Sequence, residues 1–252
     1  MPQAGRRRRR LRFGLGLVLT GLVIRTAVQV ERQRRAQARD YRQIESLFSL
    51  FGVLPIRHPL PPLRGWAVSP DFGVLIVSLI LERKPGCIVE LGSGASTLLA
   101  AYALQRVGSG RVISLEHDQA YAAASAEEVR RHGLEGFAAI RHAPLLRLEL
   151  EGQSWLWYDR TLLDDVAEVD LVVVDGPPGN LQRLSRYPAL PILLPRLSPG
   201  AVIVMDDYRR RDEREIVSRW LREFEDFSAR EVSTEKGATV LRRPGPMPRR
   251  SP

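Results

Sequence analysis

From Ser69 to Arg242, short apolar runs alternate with segments whose apolar residues recur every three or four positions. Strands and helices taking turns in this way predict a parallel, doubly wound sheet. The pattern places a helix over about 70–83, a strand over Cys87–Leu91, a helix over Ser96–Val107 and a strand over Arg111–Glu116. A helix over Gln119–Arg131 and a strand over Ala138–His142 follow, then an irregular stretch holding Trp155, Trp157 and Tyr158. Beyond it come the fully apolar strand Asp170–Asp175, a proline-broken helix near 181–194, a strand over Ala201–Asp206 and a helix over Asp212–Phe224. The chain closes on two strands, Ala229–Thr234 and Ala238–Arg242, joined at Glu235-Lys236-Gly237. A closing hairpin implies that the last strand runs antiparallel to the others, which simple dinucleotide-binding sheets do not do.

The N-terminal pattern is different. Phe13–Ile24 is an unbroken run of apolar residues, Gly and one Thr behind an Arg-rich start. If Arg25 snorkels, the run extends to Val30 and reaches the length of a tilted membrane-spanning helix. Residues 1–30 are therefore expected to form a membrane-anchor-like helix, with an interfacial helix and a targeting peptide as alternatives. Residues 31–63 are read as a charged juxtamembrane helix (Arg32–Phe51) and a Pro-rich linker, 64–243 as the folded domain, and 244–252 as a basic Pro-rich tail. Six Arg precede the apolar run and six follow it, so the positive-inside rule does not orient it.

The first predicted strand ends in Glu90-Leu91-Gly92-Ser93-Gly94 and enters a helix. Glycines serve where backbone must pass close to a ligand, and a helix start offers unpaired N–H groups. Glu90 narrows the ligand. A carboxylate beside this turn would repel a pyrophosphate but suits a molecule carrying an ammonium and a sulfonium, as S-adenosylmethionine does. Glu116 lies 22 residues after Gly94, near the spacing at which an acid accepts hydrogen bonds from both ribose hydroxyls. Thr97 stands where a dinucleotide fingerprint would carry its third glycine, which disfavours a nicotinamide cofactor.

The motifs Val89-Glu90-Leu91-Gly92-Ser93-Gly94, Ser114-Leu115-Glu116-His117-Asp118, Val173-Val174-Asp175-Gly176-Pro177-Pro178 and Val204-Met205-Asp206-Asp207, in that order, resemble those of class I S-adenosylmethionine-dependent methyltransferases. The likeness is strongest to the small-molecule O-methyltransferase branch, and it covers residues 64–243. It implies a Rossmann-like seven-stranded sheet that binds S-adenosylmethionine through Glu90, Gly92, Ser93, Gly94, Ser96, Glu116, His117, Ala143 and Asp175, with Ala143 near the adenine. It further implies Asp175 as the catalytic residue on the acceptor side. In metal-dependent relatives an acid after strand four and an acidic pair after strand five hold Mg²⁺, which makes Asp175, Asp206 and Asp207 candidate ligands. Oxygen ligands suit such a hard cation, which would lower the pKa of the acceptor hydroxyl. The plainer reading is that Asp175 opens an Asp-Gly turn and Asp207 caps a helix.

Charge changes the picture of location more than of substrate. The chain has a net charge of +9, yet residues 1–42 hold 12 Arg against Glu31 and Asp40, and residues 242–252 hold four more Arg. The folded region is thus mildly acidic, a poor footprint for nucleic acid. Cys87 is the single cysteine, so neither an intramolecular disulfide nor a thiolate metal cluster can form. The expected protein is a membrane-associated methyltransferase whose domain faces the cytosol, where the methyl donor resides, and whose acceptor is a small-molecule or glycan-type hydroxyl. The rival reading is a non-catalytic, membrane-tethered binding or scaffolding protein that keeps the fold.

Overall fold

The computed structural model describes residues 3–243, with side chains described from Ile24 onward. The chain divides into two compact units, Met1–Glu45 and Ser46–Pro252. Helix α1 (Gln3–Val53) supplies all the described residues of the first unit. The expected anchor, residues 13–30, lies within this helix, but its side chains up to residue 23 fall outside the described set. Among the described residues no helix is long and apolar enough to cross a membrane. The expected separate juxtamembrane helix is instead part of one continuous helix, because no Gly or Pro interrupts residues 22–51. The basic tail at 244–252 lies outside the described residues.

The second unit is an α/β sandwich. Its elements, in chain order, are α2 (Pro70–Arg83), β1 (Cys87–Leu91), α3 (Ala95–Val107), β2 (Arg111–Glu116), α4 (Gln119–Arg131) and β3 (Ala138–His142). These are followed by β4 (Leu145–Leu150), β5 (Gln153–Tyr158), β6 (Val169–Val174), α5 (Ala189–Leu193), β7 (Leu197–Met205), α6 (Arg211–Glu223), β8 (Ser228–Val232) and β9 (Ala238–Arg242). Seven strands form one sheet in the order β3-β2-β1-β6-β7-β9-β8, and only β9 runs against its neighbours in the parallel part. This is the Rossmann-like sheet with a closing hairpin that the alternation of elements predicts. Strands β1, β6 and β7 are apolar nearly throughout because helices cover both faces. One core layer gathers Phe72, Ile76, Ile80, Leu99 and Tyr102 around α2 and α3, and the other gathers Trp157, Tyr187, Leu190, Ile216 and Trp220 on the opposite face.

Two stretches depart from expectation. The segment expected to be irregular contains a hairpin, β4–β5, closed by Glu151-Gly152 with φ of 52° and 72°. Two positive-φ residues between paired strands make a type I′ turn, whose twist matches that of the strands it joins. Trp155 and Trp157, two apart on β5, both face the core, and Trp155 stacks on Tyr187 at a centroid distance of 5.0 Å. The helix expected near 181–194 shrinks to α5 and a short 3₁₀ turn. Residues 179–188 form an irregular connection instead, and what holds it is Arg186.

Candidate functional site

Strand order reverses at β1, with β2 on one side and β6 on the other. The carboxyl ends of these strands therefore diverge and leave an opening, the usual ligand position in doubly wound sheets. A crevice of about 630 Å³ occupies it, walled by Gly92, Ser93, Gly94, Ser96, Glu116, His117, Tyr158, Asp175 and Gly176, with Trp66 and Val68 at its mouth. Gly92 has φ of +97°, and a Cβ there would sit 3.5 Å from the Gly176 nitrogen. That distance is an ordinary contact, so it is the positive φ of the turn that calls for glycine here.

Glu116, at the end of β2, is 6 % exposed and faces this space. It accepts hydrogen bonds from the backbone N–H of Ser93 and of Asp118, both at 3.0 Å, and its Oε1 lies 2.9 Å from His117 Nδ1. The acid thus ties the glycine turn to the β2 turn. The Ser93 hydroxyl also reaches Glu116 at 3.3 Å but has Ser125 Oγ at 2.8 Å as an alternative acceptor, so turning it and His117 away leaves two of the carboxylate's roughly four acceptor positions to a ligand.

Glu90, near the end of β1, is 1 % exposed and is not among the residues that wall the crevice; it accepts hydrogen bonds from Thr97 Oγ1 at 2.5 Å and Ser114 Oγ at 2.7 Å. Burial pushes its carboxyl up from the ordinary range, and the hydroxyls of Ser96, Thr97 and Ser114 pull it back. The Thr97 hydroxyl in turn accepts from the Gly94 N–H at 3.1 Å. Glu90 therefore acts on the crevice through the turn it braces. Ala143 also lies off the wall. It is fully buried in the core, and its N–H donates to the Glu116 carbonyl at 2.7 Å. His142 is exposed at the end of β3.

Tyr158, the last residue of β5, carries no signal in the sequence beyond its aromatic company. Its hydroxyl is buried without a hydrogen-bond partner among the described residues, although the residue lines the crevice. Burial, followed by the charge of Glu116, pushes the phenol well above its ordinary range, so it stays protonated and able to donate.

Asp175, Asp206 and Asp207 converge at the ends of β6 and β7, each offering an oxygen within 4.8 Å of the others. Basic side chains approach all three. Arg186 Nη2 donates to Asp207 Oδ2 at 2.9 Å, to Asp175 Oδ1 at 3.2 Å and to the Asp175 carbonyl at 2.7 Å. Lys236 Nζ lies 3.4 Å from Asp206 Oδ2, and Arg210 Nη1 lies 2.9 Å from Asp207 Oδ2. Burial pushes Asp175 up to about 6 against the opposing charges of Arg186 and Lys236. Burial and then the neighbouring Asp175 push Asp206 up to about 7. Asp207 does not cap α6, whose N-cap is Arg210.

A strap closes one side of the crevice. Arg64 binds Glu235 at 2.6 Å, and Lys236 donates to the Ala67 carbonyl at 3.2 Å, so the β8–β9 turn holds residues 64–67 in place. Trp66 projects from this strap and is 86 % exposed.

This sheet, with its strand-end crevice, glycine turn and acid after β2, defines a Rossmann-like methyltransferase fold. Residues 89–208 match the family model of a methyltransferase domain. The chain is similar in fold to the O-methyltransferase from Bacillus cereus in complex with S-adenosylhomocysteine, at 20 % identity and a TM-score of 0.54, over 80 % of this chain and 89 % of that one. It is likewise similar to an O-methyltransferase from Streptomyces achromogenes solved with S-adenosylmethionine, at 21 % identity and a TM-score of 0.54, over 79 % of this chain and 96 % of that one. In sequence it is 33 % identical over 88 residues to the human transmembrane O-methyltransferase, covering 31 % of this chain and 30 % of that protein. The chain thus spans less than a third of the curated relatives it matches. It carries a stretch that matches a methyltransferase domain, on the fold of solved O-methyltransferases.

Proposed function

We propose that the protein transfers a methyl group from S-adenosylmethionine to a hydroxyl of a small molecule or glycan. The observation that carries this reading is Glu116, a buried carboxylate facing the crevice beside the glycine turn, with Ser93, Gly94, Ser96 and His117 around it. Glu116 would accept from the two ribose hydroxyls. Glu90 would act as a positioning residue that fixes the turn through Thr97. Asp175 lies where the crevice meets a smaller hollow of about 250 Å³ lined by Gly179, Arg186, Asp207 and Lys236, which we assign to the acceptor.

The bound donor supplies an electrophilic methyl group on a sulfonium. In the reaction the acceptor oxygen forms a bond to that carbon, the carbon–sulfur bond breaks, and its electron pair returns to sulfur. Asp175 would take the hydroxyl proton, a task for which a carboxyl raised to about 6 is suited near neutral pH. Most of the acceleration comes from holding donor and acceptor in line and away from water.

Calorimetric titration of the full chain with S-adenosylhomocysteine, S-adenosylmethionine and NAD tests this. Both adenosyl ligands are expected to bind and NAD is not. Binding of NAD alone would replace the reading with an oxidoreductase, and binding of none would favour a scaffolding protein.

We infer membrane association from the apolar run at 13–30, a reading to which the name of the human relative adds weight, with the domain on the cytosolic side, where the methyl donor resides. Carbonate extraction of membranes from expressing cells is expected to leave the chain in the pellet. Its release into the supernatant would remove the spanning helix from the proposal.

A further inference from the structure

We propose that the acidic cluster of the acceptor hollow takes its positive charge from Arg186 and Lys236 and holds no divalent cation, so that methyl transfer here is metal-independent. The inference rests on the methyltransferase reading and deepens it.

Three convergent carboxylates from the ends of two strands are what a hard cation seeks, and Mg²⁺ demands oxygens in near-octahedral order at about 2.0–2.1 Å. Here one guanidinium nitrogen stands between two of those carboxylates, 3.2 Å from Asp175 and 2.9 Å from Asp207. The same group reaches the backbone carbonyls of Asp175 and Asp206 through its two terminal nitrogens. Arg186 is 3 % exposed and packs against Glu213, whose carboxylate lies 3.8 Å away. A guanidinium at this depth cannot shed its proton, and a divalent ion could enter only by displacing it into a medium that leaves its charge unpaired. The third carboxylate, Asp206, has one oxygen 3.4 Å from Lys236 Nζ, while its other oxygen is buried without a hydrogen-bond partner among the described residues. Four acids (Asp175, Asp206, Asp207 and Glu213) therefore face three fixed cations (Arg186, Lys236 and Arg210), and the cluster is close to neutral without an ion.

The arrangement gives Arg186 the office of a positioning residue. It fixes the side chain and backbone of Asp175, a residue of the hollow's lining, together. Lys236, whose ammonium lines the same hollow, supplies a point charge near which an acceptor oxygen loses its proton more readily.

The test is a Mn²⁺ titration of the full chain, followed by water-proton relaxation, with and without saturating S-adenosylhomocysteine. Wild-type protein is expected to show no relaxation enhancement at millimolar Mn²⁺ while binding the adenosyl ligand. Removing the internal cation in Arg186→Met should uncover the carboxylates and create Mn²⁺ binding, read as a rise of several degrees in unfolding midpoint on adding the ion. Arg186→Lys, which keeps the charge, should not gain it. Saturable Mn²⁺ binding by the wild-type chain, lost in Asp206→Ala, would overturn the proposal, and it would do so even if Arg186→Met fails to fold. Failure to bind S-adenosylhomocysteine would instead strike the methyltransferase reading and leave the charge arrangement standing.

Discussion

Glu116→Ala is expected to weaken S-adenosylhomocysteine binding by roughly a hundredfold or more, measured by calorimetry. Hydrogen bonds to a charged group contribute about 1.5–3 kcal/mol each, and each 1.4 kcal/mol is about tenfold in affinity, so losing two of them reaches that range. The same substitution frees the N–H groups of Ser93 and Asp118, which now bond only the Glu116 carboxylate among their described side-chain partners. Glu116→Gln separates the two contributions. It keeps the acceptor carbonyl and the shape of the turn but not the charge, and should fall between wild type and alanine. Affinity within about twofold of wild type in Glu116→Ala would show that the ligand sits elsewhere.

The second large effect concerns Gly176. An added Cβ would lie 2.1 Å from the Tyr158 hydroxyl and 3.1 Å from the Leu91 carbonyl, and the backbone contact cannot give way as a side chain can. Gly176→Ala should therefore destabilise the protein by about 1–3 kcal/mol, as overpacking does, and push the phenol into the crevice so that adenosyl ligands bind at least about tenfold more weakly. Tyr158→Phe removes the atom in closest conflict. Because that hydroxyl has no partner among the described residues, Tyr158→Phe alone should not lower the unfolding midpoint. The double variant should recover most of the stability lost in Gly176→Ala. If it is no more stable than the single glycine variant, steric conflict with Tyr158 is not the cause.

The sheet was legible in the sequence because its strands are short, apolar and punctuated. Gly92 and Gly94 mark the end of β1, Glu116-His117-Asp118 the end of β2, and Asp175-Gly176 the end of β6. Side-chain direction was not. Glu90 follows two apolar residues in a fully buried strand, and its carboxylate meets Thr97 and Ser114, which only the fold brings near. Arg186 was hidden more thoroughly. It sits among Arg183, Ser185 and Tyr187 in a stretch without periodicity, where an arginine reads as solvated, and its partners come from positions 175, 206, 207 and 213. The three aspartates were visible as a cluster of candidate metal ligands, but the arginine and lysine beside them were not. The β4–β5 hairpin escaped because Glu151, a residue that rarely takes positive φ, occupies the first place of its turn.

That hairpin places an unusual restriction on a surface loop. Side chains alternate along β5, so one residue inserted between Leu150 and Gln153 would slide the pairing by a step and exchange its inner and outer faces. Trp155 and Trp157 would be turned out to water and Leu156 turned in, and Tyr158 would leave the ligand's wall. Where most connections between strands tolerate changes in length, this two-residue link serves as a gauge that sets the width of a pocket wall built on the strand it follows.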